Sequence, residues 1–158
     1  MFSHDDRKFD VALALLRAMI GAVFVAHGAQ KLFGAFGGGG LDGTADQMRG
    51  LGMEPGGFFA VLAGLSEFGA GLLFLAGLLT PLAGAAVIGV MVMAILQVNG
   101  PNGFFVQDAG FEYNLMLIVV AIALVVAGPG RYSLDRAFGV DRLTARLGRS
   151  RSRPAASA

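Results

Sequence analysis

An apolar stretch of helical length ends in three polar residues that could act together. His27, Gln30 and Lys31 fall within about one helical turn, directly before the glycine-rich residues 34–40. A second apolar stretch carries a single carboxylate, Glu67, near its middle. Ionisable side chains inside hydrocarbon cost about 2.5–3.5 kcal/mol each on insertion scales, so they usually face a partner or a cavity. The opposite charges of the two stretches are therefore predicted to meet.

Further polar residues stand at the ends of two other apolar stretches, at the depth where this pair is expected. The predicted polar site comprises His27, Gln30, Lys31, Glu67, Asn99, Asn102, Glu112, Tyr113 and Asn114. Two interpretations of this group stay open. It is either an interhelical ion pair and hydrogen-bond network that fixes helix register, or a small pocket that exchanges protons or holds a polar ligand head.

Aromatic residues lie next to the polar group in the sequence. The predicted apolar mouth of the site consists of Phe33, Phe36, Phe104 and Phe105. Such a mouth would accept a ring such as that of a quinone. The alternative is that these side chains only anchor the chain at the membrane interface.

Four apolar segments must position these residues. They run from about 11 to 33, 58 to 79, 82 to 98 and 111 to 127, near the roughly twenty residues that a helix needs to cross ~30 Å of hydrocarbon. The chain is 55% hydrophobic and 15% charged, more apolar than soluble domains, and the segments lack the alternation of barrel strands. The predicted fold is all-α, a four-helix transmembrane bundle with a short interfacial helix in the first outer loop.

Local patterns predict the connections between these segments. Thr44 followed by Gln47 matches a capping box and predicts a short helix from 45 to about 51, lying in the membrane interface. Only Thr80 and Pro81 separate the second and third segments, which predicts a tight antiparallel hairpin.

The first segment and its glycine-rich end carry three further expectations. Ala18, Ala22 and Ala26, with Gly21 beside them, form a small-residue stripe along which a neighbouring helix is predicted to pack. Arg17 is expected to extend from within the membrane to the lipid headgroups. The run Gly37 to Gly40 lacks the preceding strand and following GK[ST] of a phosphate loop, and it predicts a flexible link.

The charge distribution predicts the orientation in a bacterial plasma membrane. Seven arginines but two aspartates fall between 131 and 153, and positive flanks stay cytoplasmic. Four crossings then place both termini inside. The predicted organisation is a cytoplasmic leader over 1–10, a membrane domain over 11–138 and an arginine-rich, partly disordered cytoplasmic tail over 139–158. Because the leader is rich in aspartate, a retained helix is favoured over a cleaved signal peptide.

Composition also limits the cofactors and partners. The chain has no cysteine, which excludes disulfides, thiolate nucleophiles and iron–sulfur ligation by this chain alone. His27 is the single histidine within an apolar segment, so haem is disfavoured, and no metal site is predicted. The lipid bilayer is the expected environment, and nucleic acid is not an expected partner.

Six blocks of the sequence, in order, resemble the DoxX family of small four-helix bacterial membrane proteins. The blocks are "HGAQKLFG", "GLDGT", "LAGLSEFGAGLLFLAGLLT", "PNGFF", "EYN" and "GPGRYSLD". The family takes its name from a membrane subunit of thiosulfate:quinone oxidoreductase, and some actinobacterial members occur in a membrane complex with a superoxide dismutase and a sulfurtransferase. The resemblance implies a redox setting.

Three functions are compatible with these observations. The first is a redox-associated membrane subunit that binds quinone and docks a soluble oxidoreductase partner. The second is a non-enzymatic membrane scaffold or anchor in the oxidative-stress response. The third is a small-solute transporter that works as a homo-oligomer, since polar groups near the midplane also mark solute paths.

Overall fold

The computed structural model describes residues 4–139, and this part of the chain is helical without a strand. Its six α-helices are α1 (His4–Phe33), α2 (Gly40–Gly50), α3 (Gly56–Ala76), α4 (Thr80–Ala94), α5 (Glu112–Ala127) and α6 (Leu134–Ala137). α4 continues through a π-helical turn, Ile95–Asn99, and a 3₁₀ turn, Gly100–Asn102. The predicted all-α class is confirmed, whereas the predicted disordered tail lies outside the described residues.

Three helical stretches are long and apolar enough to cross a membrane. They are Asp6–Phe33, Gly56–Ala76 and Thr80–Asn102. α5 is also apolar but has 16 residues, which corresponds to a rise of about 24 Å. The three long spans match the first three segments predicted from the sequence.

α1 and α3 pack closely because glycines remove the side chains at their contact. A Cβ atom on Gly21 would lie 2.8 Å from the carbonyl oxygen of Gly71, and one on Gly28 would collide with the backbone of α3. Of the predicted small-residue stripe, Gly21 lies at this contact, whereas Ala18 and Ala22 are exposed. Glycine permits a closer approach than alanine, and the helix face that carries glycine wins the contact.

α3 and α4 form the predicted hairpin. Gly77, with φ of 63°, ends α3 in the left-handed conformation that glycine favours, and α4 begins three residues later at Thr80. The apolar core lies between α1, α3, α4 and α5. Its completely buried large side chains are Phe24, Phe74, Val87 and Leu124.

α2 begins five residues earlier than the sequence predicted. Thr44 lies inside the helix, where its hydroxyl donates a 2.7 Å hydrogen bond to the carbonyl of Gly40, and it is not the cap of a helix that starts at Ala45. The linker before α2 is a folded turn, with Gly34 and Gly40 both at positive φ. α2 packs on α3 so tightly that a Cβ on Gly56 would collide with the Ala45 carbonyl.

Arg17 is buried and does not extend to the headgroups as predicted. Its side chain is only 3% exposed, and it donates a 2.7 Å hydrogen bond to the carbonyl of Pro129 and a second bond to the carbonyl of Tyr132. Gly77 leaves the space for the guanidinium, because a Cβ there would collide with it. Backbone carbonyls inside the protein therefore bind the charge that the sequence assigned to the lipid surface.

Asp135 completes this buried cluster from the opposite side. Its carboxylate accepts hydrogen bonds from the backbone nitrogens of Leu79 at 2.9 Å and Thr80 at 3.3 Å, and it interacts electrostatically with Arg17. Its own backbone nitrogen donates to the carbonyl of Gly77 at 3.0 Å. The Arg17–Asp135 cluster thus attaches the chain after α5 to both α1 and the α3–α4 hairpin.

Candidate functional site

The structure brings Lys31 of α1 and Glu67 of α3 into direct contact. Lys31 Nζ donates a 2.6 Å hydrogen bond to Glu67 Oε2, and the two groups form an ion pair. The Glu67 side chain is 4% exposed and the Lys31 side chain 24% exposed. Because α1 and α3 approach closely at their glycines, the two side chains meet without an intervening residue.

The ion pair lies in the wall of a cleft of about 650 Å³ that is lined by residues of α1 to α5. This volume is within the range of small-molecule pockets in proteins. The polar lining residues are His27, Lys31, Gln47, Ser66, Glu67, Gln97, Asn99, Tyr113 and Asn114. The remaining lining residues are aliphatic, aromatic, methionine or glycine. The cleft therefore combines a charged pair and several amides with a large apolar surface.

Six of the nine polar residues predicted from the sequence line this cleft. They are His27, Lys31, Glu67, Asn99, Tyr113 and Asn114. Gln30, Asn102 and Glu112 are not among the lining residues. Asn102 instead braces the loop after α4, where its amide donates 3.3 Å hydrogen bonds to the carbonyls of Val98 and Ala109.

Asn114 contributes a buried amide to the same cleft from α5. Its Nδ2 donates a 3.5 Å hydrogen bond to the sulfur of Met91 on α4. Asn99 also lines the cleft, and its Nδ2 donates to the carbonyl of Ala109 at 2.7 Å. Two of the lining amides are thus held in place by protein contacts.

The four phenylalanines predicted to form the mouth do not line the cleft. Phe33 is 69% exposed and packs edge-on against Phe68 with ring centroids 5.5 Å apart. Phe36 is 78% exposed. Phe104 and Phe105 stack edge-on against each other at 5.4 Å. The aromatic side chains that do line the cleft, besides Tyr113, are Phe24 and Phe59.

Comparison with known proteins assigns this sequence to a family. A model of the DoxX family matches residues 12–100, more than half of the chain. The chain belongs to the DoxX family. The matched region of this DoxX-family chain contains most of α1, all of α2 to α4 and both residues of the ion pair.

Three relatives of this DoxX-family chain come from different bacteria. It is 32% identical over 137 residues to an "Uncharacterized membrane protein" of Mycobacterium tuberculosis, with 77% of each chain covered. It is 29% identical over 127 residues to the inner membrane protein YqjF of Escherichia coli, covering 80% of this chain and 92% of the relative. It is 28% identical over 119 residues to the "Putative oxidoreductase CatD" of Bacillus subtilis, covering 75% and 82%.

No solved structure matches the chain. The membrane-protein relatives and the three long apolar helices together establish a multi-pass membrane protein.

α2 supplies part of the cleft of this DoxX-family chain that the sequence pattern did not predict. Gln47, Met48 and Leu51 line the cleft from α2, and Met53 does so from the turn after it. The shared face of Met48 and Leu51 was the available signal, but it was assigned to the membrane interface. Ser66, next to Glu67, was also missed because a lone serine in an apolar helix carries no distinguishing pattern.

The arrangement suits a ligand that is mainly apolar and carries a polar head. An ammonium and a carboxylate in contact can donate and accept hydrogen bonds and can transfer protons to a bound group. The apolar lining lowers the local dielectric constant, which strengthens these interactions.

Proposed function

We propose that this DoxX-family protein is a redox-associated membrane subunit that binds quinone in the cleft, with the quinone head at the Lys31–Glu67 pair. One observation carries the proposal, namely that a buried ion pair forms part of the wall of a large and otherwise mainly apolar cleft. A quinone has the matching chemistry, since its ring carbonyls accept hydrogen bonds and the rest of the molecule is apolar. The Bacillus relative is named as an oxidoreductase, which supports a redox setting.

The chain's own residues would bind the ring and move protons. Reduction of a quinone to a quinol takes up two electrons and two protons. The electrons come from a soluble oxidoreductase that docks on the membrane subunit. Lys31 Nζ can donate a proton to one ring oxygen as the ring is reduced. Glu67, a carboxylate in the ion pair, then takes up a proton and passes it to the resulting amine across their 2.6 Å contact, and a second turn of the same relay supplies the second proton. His27, four residues before Lys31 and exposed on the cleft, offers a route for protons from outside.

We further propose that α5 is a fourth span and that both ends of the membrane domain face the cytoplasm. The start of α1 and the segment after α5 lie together, because Asp10 Oδ1 accepts a 2.8 Å hydrogen bond from the backbone nitrogen of Arg131. The cations Arg7, Lys8, Arg131 and Arg136 flank this end of the helices, and cationic flanks stay cytoplasmic. The cleft then opens in the outer half of the membrane.

A membrane scaffold is the second candidate, and the ion pair itself favours it. Lys31 and Glu67 satisfy each other directly, as purely structural partners between helices do. In that case the cleft is filled by lipid, and the pair only fixes the register of α1 against α3. The two candidates differ in whether removing the carboxylate changes quinone affinity.

Titration of the purified protein with a quinone in mild detergent tests the proposal. We expect saturable binding to the wild type and at least tenfold weaker binding to Glu67→Gln. The glutamine carries no negative charge, so it no longer holds the Lys31 ammonium in place beside the quinone head. Glu112→Gln is the matched control, since it makes the same chemical change outside the cleft lining, and its Kd should stay within threefold. Absence of binding to the wild type would contradict the proposal, and equal binding by Glu67→Gln would favour the scaffold.

A further inference from the structure

One face of α4 is exposed although it lines the cleft. Four residues at intervals of four, Ala85, Gly89, Met93 and Gln97, all line the cleft and are all exposed. On the opposite wall, Leu62 of α3 also lines the cleft and is 50% exposed. The cleft is therefore open sideways between α3 and α4.

The opening lies at the depth of the ion pair. Glu67 stands ten residues before Gly77, where α3 ends, and Gly89 stands ten residues after Leu79, which precedes α4. In an antiparallel hairpin both residues are then about 15 Å from the turn, at a rise of 1.5 Å per residue. A gap at this depth in a membrane helix pair faces hydrocarbon and not water.

The exposed face of α4 carries small residues near this level. A Cβ on Gly89 would meet no atom within 4 Å, so neither close packing nor contact with another helix explains glycine here. Ala85, one turn away, is the next small residue of the same face, whereas Met93 and Gln97 are larger. The smallest residues of the exposed α4 face, Ala85 and Gly89, thus lie near the level of Glu67.

We propose that the gap between α3 and α4 at Gly89 is a lateral portal that holds the isoprenoid tail of a membrane quinone. This inference rests on the proposed function, because the head of the same molecule lies at the Lys31–Glu67 pair. A long isoprenoid tail is insoluble in water. α2, packed on α3, supplies the lining residues Gln47 and Met48 on another side of the cleft. Because the tail is insoluble in water, it leaves the cleft sideways into the bilayer, past Ala85 and Gly89.

Gly89→Phe tests the portal, with Gly69→Phe as the matched control. Both glycines lie in helices and have open space where a Cβ would be added, but only Gly89 lines the cleft. The readout is the ratio of affinities for a quinone with a long isoprenoid tail and a tail-less quinone with the same ring. We expect Gly89→Phe to lower this ratio at least tenfold relative to the wild type, and Gly69→Phe to leave it within twofold.

The outcomes separate the portal from the proposed function. An unchanged ratio in Gly89→Phe, with binding retained, would overturn the portal alone. Equal weakening of both quinones would also overturn it, because the substitution would then act on the head site. Failure of the wild type to bind either quinone would overturn both proposals. Ala85→Phe, on the same exposed face, serves as the second variant if Gly89→Phe unfolds at a lower temperature than Gly69→Phe.

Discussion

Replacing Lys31 with methionine is expected to lower the free energy of unfolding by about 3 kcal/mol, whereas Glu67→Gln should lower it by clearly less. Removing one partner of a buried ion pair leaves the other charge uncompensated, which costs about 3–5 kcal/mol. Glu67 is 4% exposed and cannot reach water if its partner is lost. Lys31 is 24% exposed and has a long stem, so its ammonium can turn outward in Glu67→Gln. The asymmetry follows from this difference in burial.

Reversible unfolding of the purified variants in detergent measures these free energies. The double variant Lys31→Met, Glu67→Gln is the control, because it contains no uncompensated charge and should regain most of the stability lost in Lys31→Met. Equal destabilisation by the two single substitutions would contradict the account of the pair. No recovery in the double variant would mean that Lys31 stabilises the fold through contacts other than Glu67.

Replacing Asp135 with leucine is expected to lower the free energy of unfolding by about 3 kcal/mol. Its carboxylate accepts hydrogen bonds from the backbone nitrogens of Leu79 and Thr80, and each buried donor left without an acceptor costs about 1–3 kcal/mol. The substitution also removes the negative charge near Arg17, whose side chain is buried. The substitution should therefore destabilise the attachment of α1 as well as that of the α3–α4 hairpin.

Asp135→Asn is the conservative variant in the same unfolding experiment. Leu79 N and Thr80 N donate to different carboxylate oxygens, and asparagine keeps an acceptor for only one of them and no charge for Arg17. We expect a loss of about 1 kcal/mol, the size of a single net hydrogen bond. Limited proteolysis after Arg131 and Arg136 offers a local readout, because release of the segment after α5 should precede global unfolding in Asp135→Leu. Equal stability of Asp135→Leu and the wild type would contradict a structural role for the cluster.

The Lys31–Glu67 contact could be predicted from the sequence because each charge stands out within its own apolar helix. A charge in the middle of an apolar segment must have a partner, and few opposite charges lie at a matching depth. The same rule applied to Arg17 but led to the wrong partner. Arg17 binds the carbonyl of Pro129, 112 residues away in sequence, and a backbone carbonyl leaves no mark in a pattern of side chains.

Helix packing was predictable in kind but only partly in its members. Small residues were expected at the contact of α1, and Gly21 occupies it together with Gly28, whereas Ala18 and Ala22 are exposed. Likewise, Thr44 resembles a helix cap, but its hydroxyl binds a carbonyl one turn earlier within α2. In both cases the local pattern is a weak constraint, and the packing of α1 and α2 on α3 decides the arrangement.

The lining of the cleft was less predictable than the ion pair, because it depends on how the helices are placed in the fold. Its polar residues from α1, α3 and α5 stood out because polarity is rare in apolar segments. Gln47 and Met48 contribute only because α2 packs against α3, and no pattern in the sequence indicates that contact. The exposed face of α4, with Ala85 and Gly89, looked like any lipid-facing surface until the opposite wall of the cleft was known.

Photolabelling with a quinone that carries an azido group on its ring shows where the ring lies. We expect saturable labelling of segment 62–67 of α3 and of segment 89–97, which covers the end of α4 and the π-helical turn after it; residues of both segments line the cleft. An excess of unlabelled quinone should compete this labelling away. Labelling that is confined to the exposed face of α1 around Leu15 and Met19, or that unlabelled quinone does not reduce, would contradict a quinone site at the Lys31–Glu67 pair.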